Sequence, residues 1–337
     1  MGRPGFLRAT AVFMSRRHAY LTAPSPVQGL GLTAGEIAAH PALHRYIRQQ
    51  AQLLLHAYEG NPRLSSVFAT QQRWLMGHIA LALHFRAAAA GQSGGLTAAR
   101  FFDDVATHEV ASRNTADAFI KEMLQYGYAQ PVMGAADKRV RPLEPTQASI
   151  DAVHGWMAIH LATLDKLDGD CRVATYLGAP DAIADLQPLV ADGLLCSRRI
   201  REPERTFSLF TWLDNGGVVM EWLISGIEER EAGAARVPTG VVSIAALADW
   251  LKLSRTHLAR KLREAEEMGS IGWEGKRGRS VMWVSDGFRR EYARAQAVKL
   301  AIIDEAFNAR FRSNAGQTAG AAKDSPKNSQ RLGGPSN

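Results

Sequence analysis

Cysteine is scarce in this chain: Cys171 and Cys196 are the only two among 337 residues. Two cysteines do not suffice for a disulfide framework or a cysteine-based zinc cluster, so neither is expected to hold the fold together. No apolar run approaches the roughly 18–20 residues that a membrane-spanning helix requires. These absences predict a cytoplasmic protein that has no membrane partner and binds no structural metal.

Acidic residues are absent from the first 35 positions, which contain four arginines. Such a segment resembles an organellar transit peptide, and a start at Met14 is a second interpretation. Two prolines and two glycines follow between residues 24 and 31, and the segment has no signal-peptide apolar core. We therefore interpret residues 1–31 as a disordered basic arm, and the Gly-, Ser-, Asn- and Ala-rich residues 313–337 as a disordered tail.

The remaining composition is that of a folded, basic protein. Hydrophobic residues make up 46% of the chain, and the length predicts about two domains. Lys and Arg number 40 against 33 Asp and Glu, which gives a formal net charge of +7. A basic balance favours a polyanionic partner, nucleic acid or an anionic membrane, although many ordinary soluble proteins carry a similar excess.

The sequence repeats itself at an offset of 142 residues. Residues 63–129, placed on residues 205–271 without a gap, give 12 identities in 67 positions. The agreement in kind matters more than the number, because both copies have the pattern of a helix–turn–helix followed by a basic hairpin. The matches include Ser112-Arg113 with Ser254-Arg255, Glu122 with Glu264, and Gly127 with Gly269.

Hydrophobic periodicity predicts long helices around the two units. We expect strands over Tyr128–Val132 and from Lys138 onward, and we expect Trp273 and Trp283 to face each other across the second hairpin. Residues 180–200 have a less regular pattern. The predicted long helices span residues 36–58, 64–90, 146–166, 207–229 and 288–312.

The second helix of each unit is the predicted DNA-reading element. Ser112 and Ser254 are natural N-caps, and each is followed by an arginine. The first residues of such a helix enter the major groove, and its free backbone N–H groups suit a phosphate. We expect Arg113→Ala and Arg255→Ala each to weaken DNA binding.

A helical wheel separates the inward from the outward side chains of these two helices. Ala116, Ile120 and Met123 point inward in the first helix, and Leu258, Leu262 and Ala265 do so in the second. Arg260 suits a guanine edge and Asn114 an adenine edge, so the two surfaces differ. Ala118 also points outward in the first helix. The predicted DNA-binding residues are Ser112, Arg113, Asn114, Thr115 and Lys121 in the first helix, and Ser254, Arg255, Thr256, His257, Arg260 and Arg263 in the second.

Basic residues crowd the tips of both predicted hairpins. Such residues suit contacts to the DNA backbone or minor groove and make binding dependent on salt, so changes at Arg139 or Arg277 should lower the salt slope. A charged tip is also compatible with a merely solvated turn, but two of them, each directly after a helix–turn–helix, favour DNA contact. The tip residues are Lys138, Arg139 and Arg141 in the first copy and Lys276, Arg277 and Arg279 in the second.

The run from Leu96 to Thr146 resembles the winged helix–turn–helix family of MarR-type transcriptional regulators. The second copy lacks the Asp-x-Arg that family wings commonly carry, and its basic tip is built differently. The resemblance covers residues 64–165 well and 207–310 more loosely. It is carried by Leu96-Thr97, Ser112-Arg113-Asn114-Thr115, Gly127-Tyr128 and Asp137-Lys138-Arg139, before Leu143 and Thr146.

This resemblance implies a mainly α fold with small β-hairpin wings, in which long helices join two tandem winged helix–turn–helix units. The units are residues 32–168 and 169–312. A family member is usually one such unit that dimerises, so this chain resembles a single-chain pseudo-dimer that is a monomer or dimerises again. The implied partner is double-stranded DNA, with a bacterial nucleoid-associated location, and the two half-sites read should be unequal.

The resemblance also implies a place for a small-molecule effector between the long helices and the winged units. Aromatic side chains at helical spacing are more often plain core, so no ligand or cofactor is assigned to them. The aromatic residues that would line such a pocket are Trp74, Phe85, Trp156, Trp212 and Trp222.

The sequence offers little support for an enzyme or a metal-binding protein. The glycine-rich residues 91–95 follow a helix rather than a strand, so they are a linker rather than a phosphate cradle, and no enzyme motif stands out. His40 and His44 have metal-ligand spacing but no further ligands, so no metal site is predicted.

Fused winged helices also resemble plasmid replication initiators, and other winged-helix proteins are protein-interaction modules. Basic tips argue against the module and do not separate regulator from initiator.

Overall fold

The computed structural model describes most of the chain between its two ends. The predicted disordered arm and tail lie outside the described residues, except for Gly31. The described residues are 31–63, 68, 70–92, 94–133, 141–203, 205–211, 213, 215–227, 234–240, 243–251 and 253–312.

The described chain is mainly helical and carries two small antiparallel sheets, which confirms the predicted mainly α fold with small hairpins. The elements of the first half are α1 (Ala34–Ala39), α2 (Leu43–Gly60), α3 (Gln71–Ala89), α4 (Ala98–Thr107), α5 (Arg113–Gln125), β1 (Ala129–Pro131), β2 (Leu143–Pro145) and α6 (Gln147–Asp168). Those of the second half are α7 (Arg172–Gly178), α8 (Ala182–Cys196), α9 (Arg198–Arg201), α10 (Arg205–Thr211), α11 (Gly216–Ser225), β3 (Arg236–Pro238), α12 (Ile244–Leu251), α13 (Arg255–Glu267), β4 (Ile271–Trp273), β5 (Met282–Ser285) and α14 (Asp286–Phe311).

The two halves exchange helices. Helix α2 of the first half packs against α11 of the second, and α8 of the second half packs against α3 of the first. The short helix that opens each half also lies on the other half, since α1 packs against α14 and α7 against α6. Within each half, α2 packs against α6 and α8 against α14. Packing of this kind has the reciprocal pattern of a two-fold interface between like units.

The exchange leaves the halves with one shared hydrophobic core. Buried Tyr176, Phe210 and Tyr292 from the second half belong to the same cluster as Ile47 and Leu161 from the first. Each half has apolar helix faces that are buried only where they pack against the other half. The predicted division into residues 32–168 and 169–312 therefore describes the order along the chain and does not separate two hydrophobic cores.

A buried ion-pair network joins the start of the second half to the last helix. The Arg172 side chain is only 2% exposed, and its Nε lies 2.7 Å from Oδ1 of the fully buried Asp304. The guanidinium also donates to both carboxylate oxygens of Asp168, at 2.8 and 2.7 Å. Burial lowers the pKa of Arg172, but the hydrogen bonds that its guanidinium donates to the Asp168 and Asp304 carboxylates outweigh this effect and raise that pKa above its ordinary value. The other oxygen of Asp304 accepts from the backbone N–H of Leu32 at 2.6 Å, which anchors the described start of the chain.

Three of the predicted long helices are wrong in extent. The helix predicted over residues 36–58 is broken before α2, because Pro41 holds His40 in extended backbone. The helix predicted to start at 64 starts at Gln71, where the Thr70 side chain caps it. The helix predicted over 207–229 is two helices, separated by a turn at Asn215, whose backbone φ is 56° and whose side chain donates to the Leu251 carbonyl.

The prediction that residues 180–200 are less regular is also wrong. Helix α8 covers most of this stretch and has a proline, Pro188, inside it. It lies between α3 and α14 and buries residues on most of its circumference, so it has no single apolar face for periodicity to detect. The predicted helices over 146–166 and 288–312 are confirmed, with slightly different ends, as α6 and α14.

Candidate nucleic-acid interface

Each predicted helix–turn–helix consists of two helices joined by a short turn. In the first unit α4 packs against α5, and in the second α12 packs against α13. The predicted N-caps are confirmed: the Ser112 hydroxyl accepts from the backbone N–H of Thr115 at 3.3 Å, and the Ser254 hydroxyl accepts from that of His257 at 3.4 Å. Both caps lie at the exposed start of the second helix, so the first-turn residues behind them face outward.

The predicted wheel of α5 agrees with its burial. Ala116 and Met123 are buried and Ile120 is partly buried, together with Phe119, which the wheel did not include. Two of the outward residues have partners already: the Arg113 guanidinium lies over the Phe102 ring, 4.7 Å from its centroid, and Lys121 pairs with Asp117 at 2.7 Å. The solvent-facing residues of this helix include Arg113, Asn114, Ala118 and Lys121, with Thr115 partly covered.

Helix α5 is held in place from behind by α3. The Arg73 guanidinium donates to the Glu122 carboxylate at 2.6 Å and lies 5.6 Å from the centroid of the Phe119 ring. Glu122 is one of the residues that the 142-residue offset matches, and its counterpart Glu264 pairs instead with Lys261 at 2.9 Å on its own helix. The two second helices are therefore anchored differently although their caps are alike.

The predicted wheel of α13 also agrees with its burial. Leu258, Leu262 and Ala265 are fully buried. The outward face is more basic than that of α5, and Arg255 pairs with Asp249 at 2.8 Å across the turn between the two helices. The side chain of Arg260 lies 3.9 Å from Glu264. Of the residues predicted to bind DNA from this face, His257 is partly covered. The exposed ones are Ser254, Arg255, Thr256, Arg260 and Arg263.

The two hairpins differ in what the structure describes. In the first hairpin Arg141 is exposed, whereas Lys138 and Arg139 lie outside the described residues. The predicted return strand starts at Lys138, and its residues 138–140 lie outside the described residues. Arg141 is described and is not in a strand, and the described strand β2 begins at Leu143, after Pro142. Pro142 has no N–H to donate to a strand ladder, which favours a start beyond it.

The second hairpin is described throughout and separates its three basic residues. Lys276 and Arg279 are exposed, and neither forms an ion pair with any residue that the structure describes. Arg277 is partly buried, pairs with Glu266 at the end of α13, and lies over the Trp273 ring at 5.1 Å from its centroid. Burial and the nearby Arg263 guanidinium lower the pKa of Arg277, so this part of the hairpin tip lies beside the basic face of α13.

The sequence did not reveal the third strand of this sheet. Strand β3 pairs with β5, so the order is β3-β5-β4, and the first unit has only a single bridge, Leu96 to Leu143, at the corresponding place. The exposed Arg236 on β3 lies 4.3 Å from the centroid of the Trp283 ring, which adds a cation to this side of the hairpin. The run Arg-Val-Pro is too short to signal a strand, and it becomes one only by pairing.

The two hairpin tryptophans do not face each other, contrary to the prediction. Trp283 lies opposite Gly272 and Trp273 opposite Met282. A side chain at Gly272 would lie within 3 Å of the Trp283 ring, so the glycine makes room for the indole that Arg236 covers. The close packing of Gly272 against Trp283 fixes the register between β4 and β5. This register in turn sets the position of the basic tip.

Replacing Gly272 by Ala should destabilise the second hairpin. The added methyl group would lie 2.2 Å from the nearest carbon of the Trp283 ring, and forcing that ring aside costs about 1–3 kcal/mol, as other overpacking changes do. Thermal unfolding followed by circular dichroism measures the loss, and Gly275→Ala at the open tip is the matched control. An unchanged midpoint for Gly272→Ala would contradict the described register.

Comparisons with family models, with curated proteins and with solved structures found no match for this chain. In the part of the chain that the structure describes, no helix combines the length and apolar character needed to cross a membrane. No group of three or more His, Cys, Asp or Glu side chains there is arranged to hold a metal ion.

Proposed function

We propose that this chain is a sequence-specific double-stranded DNA-binding protein that regulates transcription. Two MarR-like winged helix–turn–helix units in one polypeptide act as a single-chain pseudo-dimer. The second helix of each unit, residues 112–126 and 254–268 with their caps, reads the major groove, and the hairpins act as wings on the phosphate backbone. A cytoplasmic, nucleoid-associated location belongs to the same proposal.

One observation carries this proposal: the repeated unit occurs twice and is mounted on helices that the halves exchange. Both Ser-capped helices are exposed along their first turns, and each is followed directly by an antiparallel hairpin. A symmetric dimer that reads two half-sites needs this reciprocity between its protomers. Here one chain supplies both halves, which supports a monomer as the DNA-binding form.

The two reading faces are chemically unequal. The exposed face of α5 offers Asn114, Ala118 and Lys121, whereas that of α13 offers Thr256, Arg260 and Arg263. An arginine donates two hydrogen bonds to guanine and an asparagine suits adenine, so the halves favour different bases. The proposed site is therefore two unequal half-sites rather than a palindrome.

In vitro selection from random duplex DNA with the full chain should enrich a two-part site with unequal halves. The molar mass of the selected complex, measured by light scattering, should correspond to one chain per duplex. Exchanging one half-site for a copy of the other should reduce the affinity by about tenfold or more, since each mismatched base pair costs about 1–3 kcal/mol.

The control is a chain in which Asn114, Ala118 and Lys121 are replaced by the α13 residues Thr256, Arg260 and Arg263. This variant should shift its preference toward the palindrome of the second half-site. Preference of the native chain for a perfect palindrome would contradict the unequal faces. Weak binding to every duplex, without enrichment, would remove the regulator proposal.

A further inference from the structure

A large, partly open cavity lies where the exchanged helices meet. Its volume is about 760 Å³, within the range of small-molecule sites. The long helices α2, α3 and α6 of the first half and α11 and α14 of the second all contribute to its wall. Most of the lining is apolar, and polar residues from both halves interrupt it. The charged residues of the lining are Asp151, Arg199, Glu221 and Lys299, and Tyr292 and Gln296 lie on the same helix as Lys299.

Glu221 and Lys299 place opposite charges in this wall, on α11 and α14. Burial raises the pKa of Glu221 to about 7, and the Lys299 ammonium opposes that rise. Burial lowers the pKa of Lys299 to about 8, and the Glu221 carboxylate opposes that fall. Each group thus acts on the other although the structure places no ion pair within 4 Å between them. The cavity wall therefore carries two opposite charges that form no salt bridge with each other.

Tyr292 supplies an independent sign of a ligand. Its side chain is only 1% exposed and lines the cavity, and its hydroxyl has no hydrogen-bond partner among the described residues. A buried hydroxyl without a partner is costly, and native structures rarely keep one. Burial and then the Glu221 carboxylate raise the pKa of Tyr292, so its hydroxyl stays a neutral donor close to Glu221.

Aromatic rings from α3 and α6 form another part of the wall, beside Lys299. The rings of Trp74 and Trp156 lie 5.9 Å apart, and His78 packs edge-on against both. Burial and then Lys299 lower the pKa of His78 to about 3, so this wall is uncharged at neutral pH. The Lys299 ammonium lies 5.9 Å from the centroid of the Trp156 ring. An apolar ring placed here would meet flat aromatic faces beside the charged groups.

We infer that this cavity binds one small zwitterion with an aromatic body, whose ammonium group pairs with Glu221 and whose carboxylate pairs with Lys299. The unpartnered Tyr292 hydroxyl donates to the carboxylate, and the body of the ligand packs on Trp74 and Trp156. An anion alone would meet the Glu221 carboxylate, a cation alone would meet Lys299, and a neutral ring would leave both charges without a partner. Two opposite charges on one ligand satisfy both.

The charged wall occurs once in the chain. The helices α6 and α14 follow the N-cap residues Thr146 and Ser285, an offset of 139 residues, which places Lys299 on His160 and Tyr292 on Val153. The 142-residue offset places Glu221 on Ile79. The first half therefore has no corresponding charge pair, and the stoichiometry is one ligand per chain. This inference does not rest on DNA binding, since it concerns the free protein.

Isothermal titration calorimetry of the full chain without DNA, against four related compounds, tests the inference. L-Phenylalanine carries both charges, phenethylamine only the cation, 3-phenylpropionate only the anion, and 3-phenyl-1-propanol neither. L-Phenylalanine should bind at one per chain and at least about tenfold tighter than the other three, the effect of one hydrogen bond to a charged group. Absence of binding by all four at millimolar concentration, or equal binding of the alcohol, would overturn the inference.

Three variants assign the contacts. Glu221→Gln should remove the advantage of L-phenylalanine over 3-phenylpropionate, and Lys299→Met should remove its advantage over phenethylamine. Tyr292→Phe keeps the volume of the ring and should weaken both carboxylates by several-fold, which keeps the test open if a charge variant misfolds. The exposed Glu59→Gln and Lys166→Met are matched controls and should bind as the native chain does. Equal losses for all four ligands in every cavity variant would indicate a structural role and overturn the assignment.

Discussion

Replacing Arg172 by Met should lower the free energy of unfolding by about 3–5 kcal/mol, the usual effect of breaking a buried ion pair. The change leaves the fully buried Asp304 without its guanidinium partner, 2.7 Å away, while Asp168 loses the two hydrogen bonds that the guanidinium donates. Domains of this kind are stable by only about 5–15 kcal/mol, so the variant should be close to unfolding at body temperature. Urea unfolding followed by circular dichroism measures the loss.

The matched control is Arg198→Met. Arg198 also pairs with a carboxylate four residues away, Glu202, but both side chains are largely exposed, so this variant should unfold at the native urea midpoint. The double variant Arg172→Met with Asp304→Leu should be more stable than Arg172→Met alone, because no unpaired charge then stays buried. Equal midpoints for Arg172→Met and Arg198→Met would show that the buried network does not hold the halves together.

Removing the two exposed charges of the second hairpin, with Lys276→Ala and Arg279→Ala together, should weaken DNA binding strongly at low salt. Each phosphate contact that is lost reduces the slope of log affinity against log salt by about 0.9, so the slope should fall by about 1.8. Both side chains are exposed and form no ion pair with the described residues, so they are available to a phosphate. Fluorescence anisotropy with one labelled duplex over a salt series measures both quantities.

Two single variants show whether the loss belongs to the hairpin tip. Arg277→Gln should change the slope less than either tip residue does, because Arg277 already pairs with Glu266 and covers Trp273. Arg310→Gln changes a cation about 36 Å along α14 from the hairpin and should leave the slope unaltered. Unchanged slopes in the double variant would indicate that the tip is a solvated turn and would count against the wing role. Circular dichroism of each variant excludes unfolding.

The expectation that a change at Arg277 lowers the salt slope treats the three basic residues of the tip alike. Lys276, Arg277 and Arg279 are equivalent as a cluster of charge in the sequence. The structure separates them, because the hairpin turns Arg277 back onto α13 while its neighbours face solvent. A tight turn sends adjacent side chains in different directions, and composition does not record which direction each takes.

Local signals predicted the parts of the site that depend on neighbouring residues. The Ser112 and Ser254 caps, the inward faces of α5 and α13, and the first strand of the first hairpin follow from residues within a few positions of one another. Capping and the 3.6-residue period act over one or two turns, so a single sequence is enough to place them. The chemical difference between the exposed faces of α5 and α13 also follows from the sequence, since it depends only on which side of each helix is buried.

The sequence by itself determined the repeated units, the caps and the chemistry of the two exposed faces, because these depend on contacts between close neighbours. The tertiary structure decided the exchange of helices between the halves, the network at Arg172 and Asp304, and the meeting of Glu221 with Lys299. Those partners lie far apart in the chain, 132 residues for Arg172 and Asp304. They become neighbours only when the folded chain buries the apolar faces of its distant helices against each other, and no local pattern of residues encodes that pairing.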